Sequence, residues 1–460
     1  MKRHAPVALL ATLMSTAAWG QEFSLFGTTM AQMWKQEVPG FEKASLTATT
    51  QYLGVDATKL GTEKLSLHFF GWGQNLSGLP KGYDEEASSG YLSYGYFQYR
   101  FDRANAEIKA GRFTAVQATG FEQVDGVSAR TDLVNGFTVS AFAGKPVLYK
   151  TVSPAAQADY DFQRDFLFGT RLGWRLGKSS ELGLSFLQDG SKAAKDLDIP
   201  QPIDYTRKQL GLDMLIGAGA GFVFKGRTVF DMASHPAVAP GHEKPSTIAE
   251  HNYTASLKLG RDVTFSLNLA ERNFFAYFAG TNLPSLFRQD ERDKFKGWGG
   301  AVTWNTPWAV QVVADYRKMH RESYGDSSRL GGELRWANQE KSFQLGGAAH
   351  YVQAADALFV DATAPYRSLT HAEARAWAMY EKGKLSLSLD GIAQRYRSAN
   401  PYVHVRRWVR EGVASAGYAF TPTFKLSGDL SYAATPVATN EVRGLLRAEY
   451  RFGFAKKGGR

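Results

Sequence analysis

The segment Leu446 to Phe454 alternates without a break. Leu446, Ala448, Tyr450, Phe452 and Phe454 form an apolar row, and Arg447, Glu449, Arg451 and Gly453 form the opposite one. A period of two is that of a β-strand, whose successive side chains point to opposite faces. A soluble sandwich would bury the apolar row and wet the charged row. A membrane barrel turns its apolar row outward to lipid and its charged row inward to water. The same two rows recur along the chain. Phe424, Leu426, Gly428, Leu430 and Tyr432 alternate with polar residues, as do Leu330, Gly332, Leu334 and Trp336. Val310, Val312, Ala314 and Tyr316 repeat the pattern, and so do Tyr253, Ala255, Leu257 and Leu259. Counting such segments from Phe23 to Phe454 gives about 22 strands, with 20 and 24 the neighbouring even numbers for a single-chain barrel.

Between the segments lie two kinds of connection. Tight polar turns include Asp102 to Asn105, Gly177 to Ser180, Gly260 to Asp262, Glu381 to Lys384 and Thr421 to Thr423. Such residues supply the backbone angles of short hairpins. Longer polar stretches, such as Lys145 to Asp165 and Phe278 to Phe295, alternate strictly with the tight turns. The expectation is an all-β fold: a transmembrane antiparallel up-and-down β-barrel of about 22 strands (20–24), with no plug domain. Aromatic residues gather near the tight-turn ends: Phe101, Trp174, Trp304, Trp308, Trp336, Tyr380, Phe420 and Phe454. They read as an interfacial girdle at headgroup depth. Gln123 to Arg130 alternates poorly and is the weakest strand.

The N-terminus fits export. Lys2 and Arg3 precede a short apolar stretch, Ala5 to Ala18, and Ala18-Trp19-Gly20 offers small residues for cleavage before Gln21. Residues 1–20 therefore read as a secretory signal peptide, and 21–460 as one barrel domain in the bacterial outer membrane. The chain has no cysteine, which excludes disulfides, thiolate metal sites and C-x-x-C-H haem attachment. Its formal charge is +10, or +10 − 2 = +8 without Lys2 and Arg3. The cations are spread through alternating strands rather than clustered, which argues against nucleic acid as a partner.

No catalytic signature is present. G-x-S-x-G is absent, and the Gly217-Ala218-Gly219-Ala220-Gly221 run has turn chemistry rather than dinucleotide spacing. The His residues show no zinc-protease spacing. The expectation is a non-enzyme with no cofactor and no metal. The candidate site is the lumen instead. With apolar rows facing lipid, the pore-lining set comprises Arg100, Lys109, Arg171, Arg175, Lys225, Arg227, Lys258, Arg317, Glu333, Arg335, Glu373, Arg375, Arg447, Glu449 and Arg451. Its positive excess predicts mild anion preference. Many of these charges are expected to satisfy one another across strands. A further basic cluster, Arg406-Arg407-Trp408-Val409-Arg410, could hold lipopolysaccharide phosphates or lie solvated. Outer-membrane lipid and lipopolysaccharide are the expected surroundings.

The end-to-end pattern resembles a bacterial outer-membrane porin. Gly111-Arg112-Phe113, Glu122 to Val127 and Gly136 to Val147 are similar to segments of deltaproteobacterial porin-like barrels. Some of these accompany multihaem cytochromes in metal- and oxyanion-reducing bacteria. Two readings follow. One is a porin for small polar or anionic solutes. The other is a barrel sleeve around a multihaem c-type cytochrome that carries electrons across the outer membrane. A ligand-specific uptake receptor ranks last, since no stretch of the pattern is left for a plug. The lumen is open, constricted by an inward-folded connection, or filled by a partner, and a monomer and a trimer both remain open.

Overall fold

Antiparallel neighbours joined by short connections form wherever two alternating segments flank a turn. The computed structural model realises this along the whole chain. It describes residues 20–37, 44–78, 88–147, 166–191, 205–219, 221–232, 248–273, 294–322, 325–354, 370–397, 408–435 and 440–455. The first strands are β1 (Gly20–Glu37), β2 (Ala44–Leu60), β3 (Leu65–Ser77), β4 (Ser88–Phe101) and β5 (Ala106–Gln117). Next come β6 (Gly120–Asp132), β7 (Phe137–Pro146), β8 (Phe166–Leu176), β9 (Ser180–Ser191), β10 (Tyr205–Ala218) and β11 (Phe222–Asp231). They continue as β12 (Ile248–Leu259), β13 (Val263–Asn273), β14 (Lys294–Asn305), β15 (Val310–Arg321), β16 (Gly325–Ala337) and β17 (Phe343–Gln353). The last are β18 (His371–Lys382), β19 (Leu385–Tyr396), β20 (Trp408–Thr421), β21 (Phe424–Ala434) and β22 (Asn440–Ala455).

Each strand pairs antiparallel with the next, and β22 pairs with β1 to close a 22-stranded sheet. In the closing register Leu25 opposes Phe452 and Phe23 opposes Phe454. Closure satisfies the backbone of both edge strands, which a hydrocarbon environment demands. The only helix among the described residues is the turn Val134–Gly136, and no plug domain occurs among them. Among the described residues no helix is long and apolar enough to cross a membrane; the crossing elements are strands.

Directly opposed residues share a face, so the register carries one set of side chains around the outside. That set is apolar and uncovered. Leu330, Leu389 and Leu430 are 60%, 61% and 59% exposed. Burying such a side chain contributes roughly 1.5–3 kcal/mol, so a belt of them is stable only against lipid. The inner face carries Arg447, Glu449 and Arg451 and the charges aligned with them around the barrel. Turns between strands use the expected chemistry: at Gly383 (φ 61°) no neighbour would obstruct a side chain, so glycine is favoured there by the backbone angle alone.

Strict alternation of short and long connections does not hold. At the long-connection end, β5 and β6 are joined by Ala118 and Thr119 alone, and β15 and β16 are only three residues apart. The β5–β6 tip needs no long loop because it is anchored on the inner wall at Ser185. Residues 1–19, and most of the Lys145 to Asp165 and Phe278 to Phe295 connections, lie outside the described residues, as do Arg406 and Arg407.

Candidate functional site

The β5–β6 hairpin leaves the wall. β5 pairs with β4 only from Arg112 downward, where Arg112 opposes Gly95. β6 pairs with β7 from Val124 downward, and the Gln123 carbonyl accepts the Val147 N–H at 2.9 Å. Above those points the two strands pair only with each other, from Phe113 opposite Val124 to Gln117 opposite Gly120. The freed tip, residues 113–123, folds into the lumen. The Ala118 N–H donates to Ser185 Oγ on the inner face of β9 at 3.3 Å. A Cβ placed on Gly211 of β10 would lie 2.8 Å from the Ala118 Cβ, and Gly169 of β8 likewise underlies Gln117.

Apolar packing holds the tip there. Phe113, Val124, Phe142, Leu167 and Leu187 form a buried cluster on the inner side of the wall. Each such burial contributes roughly 1.5–3 kcal/mol, an upper bound because an unfolded chain already hides part of that surface. The bend sits at Gly111, whose φ is 127° and where a Cβ would come within 2.3 Å of the Gly95 carbonyl oxygen. Polar side chains close the gap where β4 and β5 part. Gln123 hydrogen-bonds the Tyr91 hydroxyl and the Ser93 carbonyl. Arg112 donates to the Leu92 carbonyl at 3.0 Å and forks onto Asp125 with two bonds of 2.7 Å.

Below the tip lies a cavity of about 630 Å³, lined by Arg130, Arg171, Lys225, Arg227, Glu181 and Asp213 among others. Arg171 is clamped by Asp213 (2.7 Å) and Glu181 (2.8 Å). Glu250, 2% exposed, is held between Arg227 (2.7 Å) and Arg272 (3.0 Å). Arg130 reaches Asp132 at 3.4 Å.

By register Arg100, Lys109, Arg171, Arg175, Lys225, Arg227, Lys258, Arg317, Glu333, Arg335, Glu373, Arg375, Arg447, Glu449 and Arg451 share one face of the sheet, the face opposite Leu330, Leu389 and Leu430. Several are paired. Lys109 reaches Glu107 at 3.4 Å, and Arg100 the same carboxylate at 4.0 Å. Arg335 forks onto Glu333 at 2.7 Å, Arg375 onto Asp390, and Glu373 meets Arg329 at 3.7 Å. Arg447 lies 3.7 Å from both Asp429 and Glu449. Arg175, Lys225, Lys258, Arg317 and Arg451 have no carboxylate within 4.0 Å among the described residues.

At the tight-turn end the outer face carries Phe101, Trp174, Trp304, Trp336, Tyr380 and Phe420, with Trp308 on a turn and 73% exposed. Phe454 stands opposite Phe23 in the closing pair. Phe137 stacks on Trp174 (5.7 Å, 6°) and Phe343 packs edge-on against Trp336 (6.1 Å); both extend this belt and were missed in the sequence. The inward tip was missed as well. Its signal was the poor alternation of Gln123 to Arg130 beside apolar residues on the wet row. Among the described residues no group of three His, Cys, Asp or Glu side chains converges as a metal site.

The chain matches no protein-family model and no curated protein. Solved structures share its fold. The ferric enterobactin receptor PfeA of Pseudomonas aeruginosa is 9% identical over 94% of this chain and 82% of its own, with a TM-score of 0.56. The siderophore receptor PirA of the same organism is 10% identical over 93% and 80%, with a TM-score of 0.55. The outer-membrane channel DcaP of Acinetobacter baumannii is 12% identical over 62% and 84%, with a TM-score of 0.37. At these identities the likeness to the two receptors is one of fold. The closed barrel and its exposed apolar belt make this a β-barrel protein of the bacterial outer membrane.

Proposed function

We propose that the barrel is a porin: a passive passage for small polar or anionic solutes across the outer membrane, with no chemical step. The observation that carries this reading is the β5–β6 tip lodged on the inner wall above a cation-rich cavity. A tip built into the lumen narrows the path, and fixed charges beside a low-dielectric wall select ions by sign. Most inner carboxylates are already engaged by arginines, whereas Arg175, Lys225, Lys258 and Arg317 are not engaged by carboxylates among the described residues. The net field should favour anions.

The test is a reversal potential in planar bilayers under a KCl gradient. The parent should lie on the anion side. Replacing Arg175, Lys225, Lys258 and Arg317 together by Gln should move it toward the cation side. An unchanged potential would remove the selectivity claim. The sleeve around a multihaem c-type cytochrome ranks second, because the tip occupies lumen that such a partner would need. A stoichiometric haem Soret band in barrel purified from its native membrane would reverse that order.

Two further assignments belong to this reading. Residues 1–20 are removed before Gln21 during export. On the outer face at the long-connection end, Arg395 and Arg410 lie over the Trp408 ring (5.6 and 5.9 Å) and are assigned to lipopolysaccharide phosphates.

A further inference from the structure

We propose that the lumen contains a subsite for aromatic carboxylates, at the seam where β22 closes on β1; this rests on the porin reading. The inner face there is aromatic where a water-filled passage would ordinarily be polar. The Phe26 and Phe70 rings lie 6.2 Å apart and 15° from parallel, and Tyr52 continues the row (6.3 Å, 19°). A Cβ on Gly54 would fall 2.3 Å from the Phe26 ring, so that ring lies across bare backbone, flat against the wall. The rings thus form a platform rather than a set of projecting edges.

Cations stand beside the platform. One cavity of about 460 Å³ is lined by Phe26, Tyr52, Phe70, Lys425, Glu449 and Arg451. That volume falls within the roughly 300–1,000 Å³ of small-molecule sites. Lys425 and Arg451 have no carboxylate within 4.0 Å among the described residues. Glu449 is turned to Arg447 instead, at 3.7 Å. A flat ring stacks on the phenyl platform, offset as ring quadrupoles prefer. Its carboxylate meets the guanidinium fork of Arg451 and the ammonium of Lys425. An aliphatic acid would use only the cations, and a neutral sugar only the rings. Both features together select a molecule that is flat at one end and anionic at the other.

The test is calorimetric titration of the full barrel in detergent with benzoate, acetate and glucose. Benzoate should bind about tenfold more tightly than acetate, the value of a good ring–ring contact. Phe70→Leu should weaken benzoate about fivefold and leave acetate unchanged. Arg451→Gln should weaken both acids. Benzoate no tighter than acetate, or insensitive to either variant, would overturn the subsite, as would glucose binding more tightly than benzoate. Conductance of the same preparations in KCl separates this from the porin reading. Benzoate binding without conductance would sink the porin and leave the subsite standing; conductance without benzoate binding would do the opposite. Retained heat-modifiable migration on gels shows that each variant is folded.

Discussion

Two carboxylates on the inner wall show why burial, and not the mere presence of a pair, decides what a charge contributes. Glu250 is 2% exposed and bonded from both sides by Arg227 and Arg272. Its charge has lost its water, so replacing it leaves Arg227 and Arg272 facing a neutral group where each had a carboxylate. Both arginines are partly exposed (32% and 44%) and would recover some hydration, so Glu250→Gln should cost about 1–3 kcal/mol. Glu449 is 44% exposed and only 3.7 Å from Arg447. Its ion pair is solvated and loose, and Glu449→Gln should change stability by less than about 0.5 kcal/mol. The transition temperature for loss of heat-modifiable migration in detergent measures both. Equal shifts would mean that Glu250 is wetter than its geometry implies. Gly111 is a different case, because its demand is on the backbone. With φ at 127° and a carbonyl oxygen 2.3 Å from any Cβ, Gly111→Ala forces roughly 1–3 kcal/mol of strain onto the root of the inward tip. Its expected signature is noisier single-channel current, since strain at the root loosens the tip before it unfolds the barrel.

At the scale of elements, the β5–β6 tip departs from the wall, and its anchorage is testable because the chain has no cysteine of its own. The Ala118 Cβ would lie 2.8 Å from a Cβ on Gly211, slightly inside the roughly 3.5–4.5 Å that a disulfide spans, so a small relaxation suffices. Ala118→Cys with Gly211→Cys should cross-link on oxidation and leave conductance as it was, because the tip is already there. Replacing residues 114–122 by Asn-Gly should raise conductance. A fall in current on cross-linking would mean that the tip normally swings clear. The strands themselves were legible in the sequence, since parity along each segment assigns every side chain a face without knowledge of the partner strand. Arg171, Arg335 and Arg447 could be set on the wet row in that way. The tip was not legible for the same reason. A strand that turns inward keeps its period of two, so Phe113 and Val124 look like any alternating pair. Only their apolar character on the wet row betrayed them. What they pack against, Phe142, Leu167 and Leu187, is a long-range fact that no local pattern contains.

At the scale of the molecule, the formal charge of +10 says less than how the inner charges pair. Arg171 with Asp213 and Glu181, Arg335 with Glu333, and Arg375 with Asp390 present nearly neutral groups to a passing ion. The field in the lumen then comes from those cations without a carboxylate nearby. Which arginines are neutralised depends on the register between strands, so the cations left without a carboxylate could not be read from the sequence. This makes a prediction about salt. The Debye length falls from about 10 Å at 0.1 M to about 3 Å at 1 M. A solute travelling along the middle of the lumen would be screened from Arg175, Lys225, Lys258 and Arg317 at high salt, and anion preference would vanish. A solute pressed against the wall by the inward tip stays within a few ångströms of Lys225, which lines the cavity under that tip. Anion preference should therefore weaken between 0.1 M and 1 M KCl but persist in the parent, and it should disappear at 1 M once residues 114–122 are replaced by Asn-Gly. Equal salt dependence in the two proteins would mean that the tip sets the size of the passage and not its charge selectivity.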